Sequence, residues 1–177
     1  HYTSNSGLLE LREAISEHLA ARYGLHYEAR EEILITVGVS EAFYLTMAAL
    51  LDPGDEIIMA EPCFVSYAPS ATLVGADPVL IPTSPETGFQ LTAEAVEAAI
   101  TERTKVIFLA SPNNPTGTVL SRERMEAIAA LVEVHDLIVI SDEIYDRLVY
   151  GTTFTPFASI PGMRERTLTL QGFSKAY

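Results

Sequence analysis

The chain has 177 residues, of which 48% are hydrophobic, enough to bury the core of one domain. Its formal net charge of −13 and pI near 4.6 leave 11 Lys and Arg spread along the chain, which cannot neutralise a phosphate backbone, so nucleic acid is excluded as a partner. The one cysteine, Cys63, permits neither an internal disulfide nor a cysteine-rich zinc site, and no apolar run approaches the roughly 18 residues that cross a bilayer. A cytoplasmic protein without a metal or a membrane partner is expected. The chain opens on His1 within a polar run and stops at Ser174-Lys175-Ala176-Tyr177, so both ends read as cut.

In chain order, Leu8, Leu11, Ile15 and Leu19 recur at helical spacing and predict an amphipathic helix that Gly24 stops. Residues 33–37 then predict a short buried strand, Gly38-Val39-Ser40 a turn, and residues 41–51 a helix closed by Asp52-Pro53-Gly54-Asp55. Strands are expected at 56–60, 78–81, 105–110, 137–141 and 167–170. Helices are expected between them at 65–74, at 93–100 behind a Thr92 cap, and at 122–135 behind a Ser121 cap. This alternation implies a three-layer α/β domain with a mainly parallel sheet. No repeat, low-complexity tract or long linker divides it.

Ligands of open α/β sheets bind beyond the carboxyl ends of the strands, which directs attention to the segments that follow them. Lys175 follows the last expected strand among small and apolar residues; partial burial there would lower its pKa and favour the neutral amine that imine chemistry needs, although a lone lysine near a chain end is ordinarily solvated. Asp142 ends the run Leu137-Ile138-Val139-Ile140-Ser141, where a carboxylate can hold a heteroaromatic nitrogen protonated, cap a helix or bind a metal. No His or Cys cluster accompanies it, which weakens the metal option. Gly38-Val39-Ser40 offers N–H groups and a hydroxyl at a helix start, suited to a phosphate, or merely a tight turn with a cap. Phe64 can lie on a planar ligand or pack in the core. In Asn114-Pro115-Thr116-Gly117, Pro115 and Gly117 fix a sharp turn that can aim the Asn114 amide at a ligand oxygen, or simply turn the surface.

Taken together, the G-x-S helix entry, the P-x-F segment, N-N-P-T-G, the D-E-x-Y block and the S-K-A-Y block stand in the order and approximate spacing of the class I/II aminotransferases, the aspartate and aromatic aminotransferase-like enzymes of pyridoxal-phosphate fold type I, which the chain resembles throughout. The resemblance implies that residues 1–177 are the central part of the cofactor-binding large domain, without the N-terminal arm and the C-terminal small domain. It implies that Lys175 forms the imine to pyridoxal 5′-phosphate and moves the proton between the substrate α-carbon and the cofactor. Asp142 pairs with the pyridine nitrogen, Asn114 and Tyr145 hydrogen-bond the phenolic oxygen, and Phe64 stacks on the ring. Gly38, Val39, Ser40 and Ser174 hold the phosphate, and Tyr2 reaches the phosphate of a neighbouring subunit, which implies a homodimer. The substrates implied are an amino acid and a 2-oxo acid.

The chain also departs from the family pattern. Gly172 stands where many members have a phosphate-binding serine, and the sequence stops before the T-G-W-R segment and the arginine that grips the substrate carboxylate, so the isolated segment is not expected to be a competent enzyme. Two alternatives use the same anchoring residues: a carbon–sulfur lyase or aminocyclopropane carboxylate synthase-like enzyme, and an aminotransferase-like sensor domain of a transcriptional regulator. The substrate's side chain is not written in these residues.

Overall fold

The central strands alternate between two apolar faces, so each must be covered on both sides. In the computed structural model, which describes residues 4–177, Ile57 and Met59 of β1 (Glu56–Glu61) point to one face and Ile58 to the other. The same alternation separates Val106 and Phe108 from Ile107 and Leu109 in β3 (Thr104–Ala110), and Ile140 from Val139 in β4 (Ile138–Asp142). With β2 (Asp77–Pro82) and β5 (Thr167–Leu170) these strands form a five-stranded sheet in the order β2-β1-β3-β4-β5, every neighbouring pair parallel.

Helices fill both outer layers. Phe43 and Met47 of α2 (Gly38–Leu50) and Tyr67 and Ala71 of α3 (Tyr67–Leu73) pack on the Ile57–Met59 face. Val96 of α4 (Ala93–Ala99) and Met125, Ile128 and Val132 of α5 (Arg122–Val134) pack on the other. Thr92 and Ser121 cap α4 and α5 by accepting from the N–H groups of Ala95 and Arg124, as their positions predict. α1 (Leu9–Tyr23) ends at Gly24, whose φ of +69° is the left-handed cap expected there. Its contact with the body is a satellite cluster of Leu19, Leu25 and Ala158, and the buried Arg12 guanidinium donates to the carbonyls of Ala29 and Arg30.

Three expectations need correction. Residues 33–37 belong to no strand among the described residues; Leu34 and Val37 are exposed, the Ile35 N–H donates to the Ser6 carbonyl, and the remaining bonds, at Thr36 and Val37, are local ones to Gly38 and Glu41 at the start of the following helix. An apolar run becomes a strand only beside an open sheet edge, and none of the described strands reaches this one. Gly38-Val39-Ser40 is accordingly not a turn before a helix but the first turn of α2 itself. The helix expected from residue 65 starts at Tyr67, because the Tyr67 N–H closes a turn on the Phe64 carbonyl and leaves Val65 outside, 82% exposed.

The order of the strands decides where a ligand can go. The chain moves outward from β1 to β2, then returns to the other side of β1 to lay down β3, so the connections after β1 and β3 diverge and leave a crevice at their carboxyl ends.

Candidate active site

Both walls of that crevice are built by local hydrogen bonding. After β3, the Gly117 N–H donates to the Asn113 carbonyl and the Asn113 N–H to the Thr118 carbonyl, which closes the N-N-P-T-G turn; Gly117 takes the positive φ of +70° that this closure needs. The Asn113 amide donates to Thr116 Oγ1 at 2.9 Å and to the Pro62 carbonyl at 3.1 Å, so it fastens the turn across the crevice to the segment after β1. Asn114 is left half-buried at the rim, its amide without a hydrogen bond among the described residues. Asn113, which the sequence reading left in the background, is thus the residue that presents Asn114.

β4 carries the central carboxylate. Asp142 shares a face with Ile140, is only 4% exposed, accepts from the Tyr67 hydroxyl at 2.7 Å through Oδ2, and accepts from the Ile144 N–H at 3.1 Å through Oδ1. Burial raises its pKa above the usual carboxylate range, and these two donors oppose the shift. The Tyr67 hydroxyl is pushed far up by burial and by the adjacent Asp142, so it remains a donor. Tyr67 is held in turn by the rings of Phe43 and Phe108, with centroids 5.1 and 4.4 Å away. Nothing in the spacing of Tyr67 announced this role; the one available signal was a tyrosine shortly after P-x-F.

A second buried carboxylate shows what a purely structural one looks like here. Glu56, at the opposite end of the sheet and also 4% exposed, is paired with Arg103 at 2.6 Å and with the hydroxyls of Thr101 and Thr104. Asp142 has donors but no cation at ion-pair distance among the described residues. A buried anion lacking a counter-charge suits a cationic ring nitrogen, so the carboxylate passes the test for the cofactor that the resemblance implies.

The other expected residues gather at the same edge. Phe64, 38% exposed, meets Tyr67 edge to face with centroids 5.6 Å apart, which leaves part of its ring open to a planar ligand. The first turn of α2 has no side-chain cap, so the N–H groups of Val39 and Ser40 are free of intrahelical acceptors, a donor set suited to phosphate; Glu41 folds back onto the Val37 N–H just outside it. Ser40 is exposed and Val39 buried. Tyr145, half-buried, follows Asp142 in the turn after β4, and β5 pairs with β4 so that Leu170 lies beside Asp142. Ser174 and Lys175 lie in the turn that follows β5. A Cβ at Gly172 would meet Val39 at 3.5 Å and Ile144 at 3.6 Å, which brings the lysine-bearing segment against both the start of α2 and the turn after β4.

One expectation fails within this chain: Lys175 is exposed rather than partly buried, since nothing among the described residues covers the turn that carries it. Tyr2 lies outside the described residues. No group of three or more His, Cys, Asp and Glu is placed to hold a metal among the described residues, and no described helix is long and apolar enough to cross a membrane.

The chain is similar to known proteins along its whole length. It is 43% identical to the aspartate aminotransferase of Pyrococcus abyssi over 178 aligned positions, covering 100% of this chain and 46% of the relative, and 40% identical to aromatic-amino-acid aminotransferase 2 of Thermococcus litoralis over the same shares. Among solved structures, the aromatic aminotransferase from Pyrococcus horikoshii superposes with a TM-score of 0.96 at 44% identity, over 99% of this chain and 47% of that one. The aspartate aminotransferase from Thermus thermophilus with maleate superposes with a TM-score of 0.95 at 41% identity, over 100% and 46%. The chain therefore spans a little under half the length of these relatives. The family model described as aminotransferase class I and II matches residues 1–177, and the chain belongs to that family.

Proposed function

We propose that the chain forms the cofactor-holding part of a pyridoxal-phosphate-dependent aminotransferase that, in its full-length form, moves an amino group between an amino acid and a 2-oxo acid. The family is pyridoxal-phosphate-dependent, and the observation that carries the reading is a buried, donor-supported carboxylate without a counter-charge among the described residues, at the same sheet edge as an uncapped helix start and a lysine-bearing turn. When bound, the cofactor draws electrons from the substrate α-carbon through a protonated ring.

The chain's own residues make that possible. Asp142 keeps a proton on the ring nitrogen, with Tyr67 and the Ile144 N–H holding its carboxylate in one orientation. Asn114 and Tyr145 donate to the phenolic oxygen, Phe64 covers one ring face, and Gly38, Val39, Ser40 and Ser174 hold the phosphate. The Lys175 amine would hold the cofactor and, once the substrate's own amino group has taken its place and set it free, would accept the proton from the substrate α-carbon and pass it on as a general acid. Coverage of Lys175, a homodimer in which Tyr2 reaches the neighbouring site, and a cytoplasmic location complete the proposal.

The test uses the full-length protein supplied with pyridoxal phosphate. A 2-oxo acid product formed only when an acceptor is present supports transamination; pyruvate and ammonia without an acceptor would instead mark elimination. Lys175→Ala should remove the visible absorbance of the lysine-bound cofactor while some cofactor stays bound, and Asp142→Ala should weaken cofactor binding and slow turnover at least about a hundredfold. Full activity in either variant would refute the assignment.

A further inference from the structure

Next to Asp142, at the same strand end, lies a second buried acid that none of the proposed cofactor or proton contacts involves. Glu143 is 1% exposed. Its Oε1 accepts from the Phe157 N–H at 3.0 Å and from the Ser141 hydroxyl at 2.9 Å, and its Oε2 accepts from the Gln171 amide at 3.4 Å. Its own N–H donates to the Leu170 carbonyl at 2.8 Å, extending the ladder between β4 and β5 by one residue.

These contacts join three separate stretches: the end of β4 that bears Asp142, the return of the chain at Phe157, and the residue after β5 from which the segment to Lys175 departs. We propose that Glu143 is a positioning residue for the reaction: its side chain locks Gln171 and Phe157 to the end of β4, and so fixes the start of the lysine-bearing segment relative to Asp142. This rests on the functional reading above.

Several observations favour this over a simple packing role. A fully buried carboxyl is costly, and an apolar residue of similar size would fill the volume without that cost, while leaving the Phe157 N–H, the Ser141 hydroxyl and the Gln171 amide without their acceptor. No cation stands at ion-pair distance from Glu143 among the described residues, so charge pairing is not its task. Phe157 itself is 1% exposed in the core, which makes it a fixed anchor, whereas Gly172 and the exposed residues Phe173 to Lys175 beyond Gln171 have little else to hold them. Gly172 itself has no side chain with which to grip its neighbours; only an added Cβ would reach Val39 and Ile144, at 3.5 and 3.6 Å. A shift of the reacting amine by about 1 Å is enough to slow an enzyme about a hundredfold, so a weak tether at Gln171 has a catalytic consequence. Burial pushes the acid up to about 7, and a glutamine there matches its shape, keeps one oxygen for the Phe157 N–H and the Ser141 hydroxyl, and can donate its own N–H to Gln171 once the Gln171 amide turns its oxygen inward.

The experiment compares Glu143→Gln, Glu143→Ala and Gln171→Ala in the full-length protein with pyridoxal phosphate. Three quantities are read: amide exchange across residues 171–177, the pH midpoint of the visible absorbance of the lysine-bound cofactor, and kcat and KM for the amino donor. Glu143→Ala and Gln171→Ala should speed exchange of the segment about tenfold, move the absorbance midpoint, and lower kcat about tenfold with KM changed by less than about threefold. Glu143→Gln should stay near wild type in all three. Wild-type exchange and absorbance behaviour in Glu143→Ala would overturn the proposal, as would a glutamine variant as damaged as the alanine one. If Glu143→Ala does not fold, Gln171→Ala decides, and wild-type behaviour there sinks the idea. A wild-type protein without aminotransferase activity would defeat the functional reading alone, because the exchange measurement still tests the tether.

Discussion

At the scale of single residues, the site depends on which hydrogen bonds support its charges. Tyr67 gives Asp142 one of its two donors, and the Tyr67 ring is kept in place by Phe43 and Phe108. Tyr67→Phe is therefore expected to cost about 1–3 kcal/mol of folding stability, since a buried carboxylate oxygen loses its donor, and to weaken cofactor binding by about 1 kcal/mol, roughly fivefold, in an absorbance titration of the full-length protein. Gly172 lies against Val39 without a positive φ, and an added Cβ meets only ordinary contacts. Gly172→Ser should fold like the wild type and bind the cofactor severalfold more tightly, by restoring a hydroxyl beside the phosphate donors of α2; weaker binding in the same titration would show that the segment lies elsewhere. Glu143 sets a pH dependence whose sign follows from its shift, since burial raises it from 4.5 to about 7. Between those values the folded state binds the proton more firmly than the unfolded state does, so the contribution is fully present below the lower value and lost as pH rises through the upper one. Urea melts at several pH values should show the stability of wild type falling relative to Glu143→Gln across that window, by at most about 3 kcal/mol. Lys175, Asp142, Asn114 and Tyr145 could be singled out because chemistry-bearing residues in a fixed order are visible in a string of letters. Tyr67, Asn113 and Glu143 could not, since their roles are contacts with residues far away in the chain.

At the scale of elements, local chemistry predicted best where an element carries its own signals. The caps Thr92 and Ser121 mark the starts of α4 and α5, and Gly24 marks the end of α1, because each satisfies backbone groups within a few residues of itself. The strands were legible because apolar runs buried on both faces have few other destinations in a chain of this composition. Residues 33–37 carry the same pattern yet stay unpaired, since strand formation needs a partner edge that no local sequence can guarantee. α2 depends on its apolar stripe: Phe43 is 2% exposed and Met47 fully buried against β1, β3 and β4. Phe43→Ala is expected to destabilise the protein by about 3–5 kcal/mol in a denaturant melt and, by loosening Tyr67, to weaken cofactor binding as well.

At the scale of the whole molecule, several large apolar side chains stay exposed among the described residues. Val37, at the start of the helix proposed to hold the phosphate, is 86% exposed, Tyr44 and Leu45 on that helix are 43% and 42%, and Val65 before α3 is 82%. Such residues suit a covered face, consistent with the proposed homodimer. Light scattering of the full-length protein should find a dimer, and Tyr44→Glu combined with Leu45→Glu should shift it toward monomer. The sequence by itself determined the α/β class, most element positions, the family and the residues on which the chemistry is proposed to rest, because these follow from periodicity, capping and motif order, all short-range properties of the chain. Only the tertiary structure decided the strand order that opens a crevice between β1 and β3, the contact of Tyr67 with Asp142, the fastening of the Asn113 turn to Pro62, and the burial of Glu143. Each of these joins segments that are distant in sequence, and their meeting is fixed by how the sheet and its two helical layers bury apolar surface rather than by any residue's local preference.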